Sequence, residues 1–350
     1  MFTRKNSLVK TVLVLLFILC GSAFAEASPE LIDSLILKGI DQVHQEKLQP
    51  AIETFKQIVN LKPDKPVGYF FIAGAYRTIM YDYRSLAYQK EFEAYVEKAI
   101  EIGKELTESQ EATSEDYFYY AGALGYLGIF KSDIGNWWSA FRLGLKAKAI
   151  MEKALEMDST NYDAYFGLGT YHYWRSVKTK IFWWLPFIGD DRAKGISEIK
   201  FAIENGKYTG REGKYALLRV YNEEAAYDTL LHYFESSGLK AYNPDDPYSL
   251  WWVGLSYIGK REWSKATDNY RRLLGVLRNS PYIDGAGEVE CRYYLAHCYY
   301  NTNDYDSCLA EIAKVLSLKE KMKDRKSTTE FVEQAEKLKK TIREELKRQR

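Results

Sequence analysis

The sequence predicts an all-α solenoid of about seven helical hairpins ending in a C-terminal capping helix. Three observations carry this expectation. Seven small residues, Gly39, Ala73, Gly122, Gly169, Ala216, Gly254 and Ala296, each sit inside an apolar, aromatic-rich run with helical periodicity. They recur at steps of 34, 49, 47, 47, 38 and 42 residues. A small residue at such a place lets another backbone come close. Proline is scarce, 8 in 350 residues, as long helices require. Finally, 46% hydrophobic content with 29 tyrosines excludes a disordered chain.

Three segments follow in order: 1–25, 26–318 and 319–350. The first reads as a signal peptide. Arg4, Lys5 and Lys10 precede an apolar run from Thr11 to Cys20, and Ala23-Phe24-Ala25 supplies a small-residue cleavage pattern. The run is shorter than the ~20 residues that span a membrane. Export to the periplasm or cell envelope is expected, with cleavage after Ala25. Lipidation at Cys20 is the alternative, disfavoured because Leu19 occupies the position where lipid-signal cleavage needs a small residue.

The first hairpin is read as Pro29 to Gln45 and Pro50 to Leu61, with Gly39 and Ala51 twelve residues apart and Phe55 filling the gap behind them. Gly254 and Ala266 repeat that spacing, as do Ala296 and Cys308. In the middle the spacing stretches to 25 from Gly122 to Ala147 and to 26 from Gly169 to Gly195. Long helices, about Tyr117 to Phe130 and Trp137 to Met157, account for the first stretch. The second contains Trp183, Trp184, Leu185, Pro186 and Phe187, an aromatic loop with a helix breaker, before an Asp-capped helix start. Hairpin two places its second helix within Gln89 to Leu106, and hairpin five within Glu223 to Ser237. In the tail, Ser327 to Glu330 has a capping-box pattern, and Phe331, Ala335, Leu338, Ile342 and Leu346 share one face of a charged helix.

The segments with twelve-residue spacing resemble tetratricopeptide repeats, and the resemblance covers most of residues 30–318. The stretch from Gly167 through Trp174 to Gly195 resembles a group of exported bacterial tetratricopeptide proteins without assigned function. The resemblance implies protein binding and no particular chemistry.

Chemistry is not expected. His44, His172, His232 and His297 form no metal motif, and neither a phosphate-cradling glycine loop nor a nucleophile elbow is present. Asp190-Asp191-Arg192 reads as a helix start with a local ion pair, and His172 as a packed histidine. Cys291 and Cys298, seven apart on one helix, lie ~10.5 Å apart along its axis and cannot bridge. The chain is read as a non-enzyme with no cofactor and no metal. Net charge is +1, without the concentrated basic face that nucleic acid requires.

In the resemblance, the first helix of each hairpin lines the concave wall. With the small residue as position eight, positions 5, 9, 12 and 13 face the groove. They select Phe70, Arg77, Tyr119, Tyr126, Phe166, Tyr173, Trp174, Tyr221, Trp251, Tyr293, His297 and Tyr300. This wall is aromatic and almost uncharged. It lacks the Lys, Arg and Asn set by which relatives clamp a C-terminal carboxylate. It suits an extended peptide or protein segment in the cell envelope. A small molecule or glycan in the same groove is the alternative. Trp183, Trp184 and Phe187 are a further candidate contact, with a partner or a membrane surface.

Overall fold

A computed structural model describes residues 28–109, 111–179, 189–319 and 326–348. The signal-peptide reading, Cys20, and the loop residues Trp183, Trp184 and Phe187 lie outside them. The described residues form sixteen helices and no strand. They are α1 (Pro29–His44), α2 (Leu48–Leu61), α3 (Pro66–Asp82), α4 (Gln89–Thr107), α5 (Ser114–Asp133), α6 (Trp137–Met157), α7 (Ala164–Thr179) and α8 (Arg192–Asn205). There follow α9 (Gly210–Glu223), α10 (Tyr227–Ser236), α11 (Leu239–Tyr242), α12 (Pro247–Gly259), α13 (Trp263–Arg278), α14 (Ala286–Asn301), α15 (Tyr305–Leu318) and α16 (Lys326–Arg348). Consecutive helices pair as antiparallel hairpins, seven in all, with α16 packed against α14 and α15.

Helix starts follow local chemistry. Ser28 caps α1, with Pro29 in the first turn, and Pro66 and Pro247 open α3 and α12 in the same way. Thr113 and Asp116 form a reciprocal capping box on α5. Asp191 occupies the position before α8 but makes no cap bond. Its carboxylate instead accepts from Arg175 Nη2 at 2.5 Å. The box read at Ser327 falls inside α16, which already begins at Lys326.

One turn recurs through the chain. Five hairpins join their helices by three residues, 45–47, 134–136, 224–226, 260–262 and 302–304. The middle residue is left-handed each time: Glu46, Gly135, Ala225, Arg261 and Asn303, with φ of 59°, 82°, 52°, 59° and 59°. Only one is the glycine that conformation favours, so sequence alone gives little sign of the repeat. Because hairpin three keeps this tight turn, its extra residues lie in helix length: α5 has 20 residues and α6 has 21. The extra residues of hairpin four lie between α7 and α8.

The small residues mark close approach. A Cβ on Gly39 would sit 2.2 Å from the Phe55 ring. Gly169 and Gly195 face each other backbone to backbone: each absent Cβ would lie 2.6 Å from the other's carbonyl oxygen. Gly122 departs from the expected pairing with Ala147. Its missing side chain makes room for Phe70 of the preceding hairpin, 2.7 Å from where a Cβ would be. The α5–α6 crossing runs instead past Gly128, which faces Leu143 and the backbone of Ala140 and Gly144.

The superhelix winds until its ends meet. Asp33 of α1 accepts from Lys207 and Tyr208, before α9. Asp41 accepts from Arg211 at 3.1 Å and from Tyr242 at 2.6 Å. Trp251 Nε1 of α12 donates to the Asp82 carbonyl at 2.9 Å, and Arg84 pairs with Glu290 of α14 at 3.2 Å. A single apolar core therefore runs from Leu35 through the first seven helices and on to Trp251, Tyr270 and Leu295. A separate cluster joins Ala296, Cys308 and Ile312 to Val332, Ala335 and Ile342 of α16.

Candidate functional site

A cavity of about 350 Å³ lies inside this closed turn, walled by α3, α5, α6, α7 and α9. Such a volume is at the lower end of small-ligand sites. Five of the twelve wall residues selected from the sequence come together there: Phe70, Arg77, Tyr126, Phe166 and Trp174. Phe70 stacks on Tyr126 with ring centres 4.8 Å apart and planes 7° from parallel. Arg77 lies over the outer side of this pair, 5.2 Å from the Tyr126 centre. Gly74 makes room for the Tyr126 ring, 3.3 Å from where its Cβ would be, and nothing stands within 4 Å of where a Gly125 Cβ would project.

The other seven sit elsewhere. Tyr119 is buried beneath Phe70 and Phe118. Tyr173 is fully buried, its hydroxyl donating to Glu224 at 2.9 Å and to the Val220 carbonyl at 3.3 Å. Trp251 is buried in the closing seam, with Arg84 stacked over it at 4.7 Å. Tyr221 packs edge-on against Tyr233. Tyr293, His297 and Tyr300 lie at the other end of the molecule: Tyr293 contacts Phe331 of α16, His297 packs on Trp263, and the Tyr300 hydroxyl donates to Glu345 of α16 at 2.8 Å. The capping helix thus covers part of the wall that the repeat register assigns to hairpin seven.

Several lining residues escape the register argument. Arg219 stacks on Trp174 at 4.1 Å, three residues beyond Ala216 and so off the groove positions. Glu212 and Asp133 bring carboxylates to the wall, and burial raises the pKa of Glu212. Trp137 and Phe141 come from the second helix of hairpin three, which the argument from first helices does not consider. These last two continue outward: Trp137 is 56% exposed, Trp138 71% and Phe141 46%. This aromatic face borders α7 of the next hairpin. Lys178 spans its edge, 5.1 Å from the Trp137 ring.

Asp190, Asp191 and His172 are not gathered into a pocket. Asp190 pairs with Arg192 at 2.7 Å and Asp191 with Arg175, while His172 is buried against Glu198 at 2.6 Å. Cys291, Cys298 and Cys308 are buried free thiols. Among the described residues no helix is long and apolar enough to cross a membrane.

Neither family models nor curated proteins give a match to this chain. Solved structures do. A chain of the APC/C hetero-tetramer Cut9–Hcn1 aligns at 11% identity with TM-score 0.51, over 82% of this chain and 52% of that one. The chain thus spans about half the length of that relative. The C-terminal part of a TPR repeat-containing protein of Cytophaga hutchinsonii aligns at 18% identity and TM-score 0.42, over 85% of this chain and 99% of the other. Human IFIT1, crystallised as a dimer with m7Gppp-AAAA, aligns at 16% identity and TM-score 0.46, over 88% and 69%. The fold is therefore a tetratricopeptide-like α-solenoid.

Proposed function

We propose that this protein is an envelope-located interaction scaffold, not an enzyme, that holds an extended apolar segment of a protein partner. The observation that carries this reading is the continuity of the cavity with the exposed face of Trp137, Trp138 and Phe141. An apolar track that leaves the cavity and runs along the surface suits a chain more than a compact molecule. Exposed contiguous aromatics on a folded protein mark contact surfaces, and aromatic anchors dominate their energetics. Within the cavity, Arg77, Arg219 and Glu212 give polar direction to the peptide backbone. The tetratricopeptide-like fold supports a scaffold role.

The enclosed volume near 350 Å³ favours the second reading, a small molecule or sugar ring stacked on the Phe70–Tyr126 pair. Photo-crosslinking from a benzoylphenylalanine placed at Phe141 in living cells separates the two. A discrete protein adduct, lost when Trp174→Ala and Phe166→Ala are added, supports the scaffold. Absence of any protein adduct, with a small molecule retained by the native protein in mass spectrometry, refutes it. Export is part of the same proposal. A mature chain starting at Glu26 supports a soluble envelope protein, a lipid on Cys20 an anchored one, and an intact Met1 in the cytoplasm would overturn export.

A further inference from the structure

Where the closed turn seals, three carboxylates from distant parts of the chain meet. Glu46 comes from the left-handed turn after α1, Asp82 from the end of α3, and Asp246 from the position before α12. One oxygen from each lies within 4.8 Å of the others. Asp82 and Asp246 are each 4% exposed. They line a cavity of about 100 Å³ that adjoins the aromatic one and shares with it Arg77, Tyr126, Phe166, Trp174, Glu212 and Arg219.

Buried carboxylates require a counter-charge or a proton. Arg84 acts electrostatically on Asp82 and also pairs with Glu290 at 3.2 Å. Arg211 pairs with Asp41, while Arg77 and Arg219 line the cavity itself. The polar contacts present are few: the Tyr83 hydroxyl donates to Glu46 at 2.7 Å, and the Ser249 amide to Asp246 at 2.7 Å.

A separate observation points to a ligand. Tyr215 of α9 lines the same cavity and is 5% exposed, and its hydroxyl is buried without a hydrogen-bond partner. After burial itself, the charges that act most on it are Asp246, Asp82 and Glu46. Its ring stacks on His44, centres 5.1 Å apart. An orphaned buried hydroxyl is destabilising unless something fills the space before it.

We propose that Glu46, Asp82 and Asp246, with Tyr215 supplying an oxygen directly or through water, form a calcium site that ties hairpins one and two to hairpins five and six. The donor set is all oxygen, which selects hard cations. Coordination habit selects among them. Ca²⁺ accepts six to eight oxygens in flexible geometry, whereas Mg²⁺ demands a near-ideal octahedron and keeps several of its waters. Three carboxylates brought from distant parts of the chain, with oxygens within 4.8 Å of one another, suit Ca²⁺. The remaining positions are open to water in the cavity.

The test is calorimetric titration of the EDTA-treated full chain with CaCl₂, with thermal unfolding measured in Ca²⁺ and in EDTA. One equivalent of Ca²⁺ should bind and raise the unfolding temperature. Asp82→Asn should weaken binding roughly tenfold or more by removing one ligand charge. In EDTA the same variant should unfold no lower than the wild type, because it removes a repelling carboxylate. Tyr215→Phe, which keeps the packed ring, should weaken binding several-fold and serves if Asp82→Asn does not fold. Absence of Ca²⁺ binding by the wild type would overturn the proposal, as would unchanged affinity in both variants. Tighter binding of Mg²⁺ than Ca²⁺ would overturn the calcium assignment.

Discussion

Alanine placed at Gly169 or Gly195 should destabilise the protein, although alanine is the better helix former. In a helix interior Gly→Ala gains about 0.8–1 kcal/mol from propensity. Against this stands the α7–α8 crossing. A Cβ on Gly169 would lie 2.6 Å from Gly195 O and 2.8 Å from Ile199 N, and one on Gly195 would lie 2.6 Å from Gly169 O and 2.7 Å from Tyr173 N. The obstructing atoms are backbone, so no side chain can rotate away. Reaching ordinary contact near 3.4 Å requires the helices to part by about 0.8 Å, which forfeits a quarter to a half of each dispersion contact across the crossing. Overpacking of this kind costs about 1–3 kcal/mol, here toward the upper end, leaving a net loss of ~2 kcal/mol. Gly275→Ala is the control. It lies in α13 with no atom within 4 Å of its Cβ direction and should gain up to ~1 kcal/mol. Identical substitutions should thus differ by ~3 kcal/mol, or roughly 6–12 °C in the midpoint of thermal unfolding followed by circular dichroism. The double variant Gly169→Ala/Gly195→Ala should cost little more than either single one, because one separation accommodates both methyl groups. Gly169→Ala unfolding at or above the temperature of Gly275→Ala would refute the crossing.

The recurrent left-handed turn gives a second expectation. Ala225→Gly, at an exposed residue with φ of 52°, should raise stability by up to ~1 kcal/mol in urea denaturation; no gain would mean the turn is not populated as described. Trp251→Phe removes the donor to the buried Asp82 carbonyl and should cost ~1–3 kcal/mol. If the seam between hairpins two and six is real, the loss should also broaden the unfolding transition. Cys291, Cys298 and Cys308 are buried, and burial pushes the latter two thiols up to about 12, so thiolate is scarce at pH 8. In a Cys20→Ser chain, a disulfide reagent should modify none of the three in native buffer and all three in denaturant; fast native labelling would contradict their packing.

The hairpin register was legible because it rests on sterics that reach across short distances. Gly39 and Gly254 meet Phe55 and Tyr270, the large residues four positions beyond their twelve-residue partners Ala51 and Ala266. Long helices in hairpin three were legible from unbroken periodicity between Tyr117 and Met157. The pairing of Gly122 was not, because its neighbour is Phe70 from another hairpin and no local pattern encodes that distance. Ring closure is hidden for the same reason: Asp82, Trp251 and Glu290 carry no mark of their partners. The consequences for the site are direct. Phe70, Arg77, Tyr126, Phe166 and Trp174 were selected by helical geometry and line one cavity. Tyr173 and Trp251, selected by the same rule, are buried because the next hairpin or the closing seam covers them. Arg219, Trp137 and Phe141 lie off the rule, and the three-carboxylate cluster exists only through contacts across the closed turn.

Closure also imposes a schedule. An ordinary repeat array can zip up as each hairpin leaves the ribosome, because every contact is with a neighbour. Here Asp33, Asp41 and Arg84 meet partners that lie 175, 170 and 206 residues further along the chain. At about 5–20 residues per second those partners arrive roughly 10–40 s later. Throughout that interval the faces of α1 and α3 that will meet the later hairpins stand open to water and to other nascent chains. The risk of misassembly is therefore concentrated in the first half of the chain, and it ends only when the sixth and seventh hairpins swing in and shut the turn.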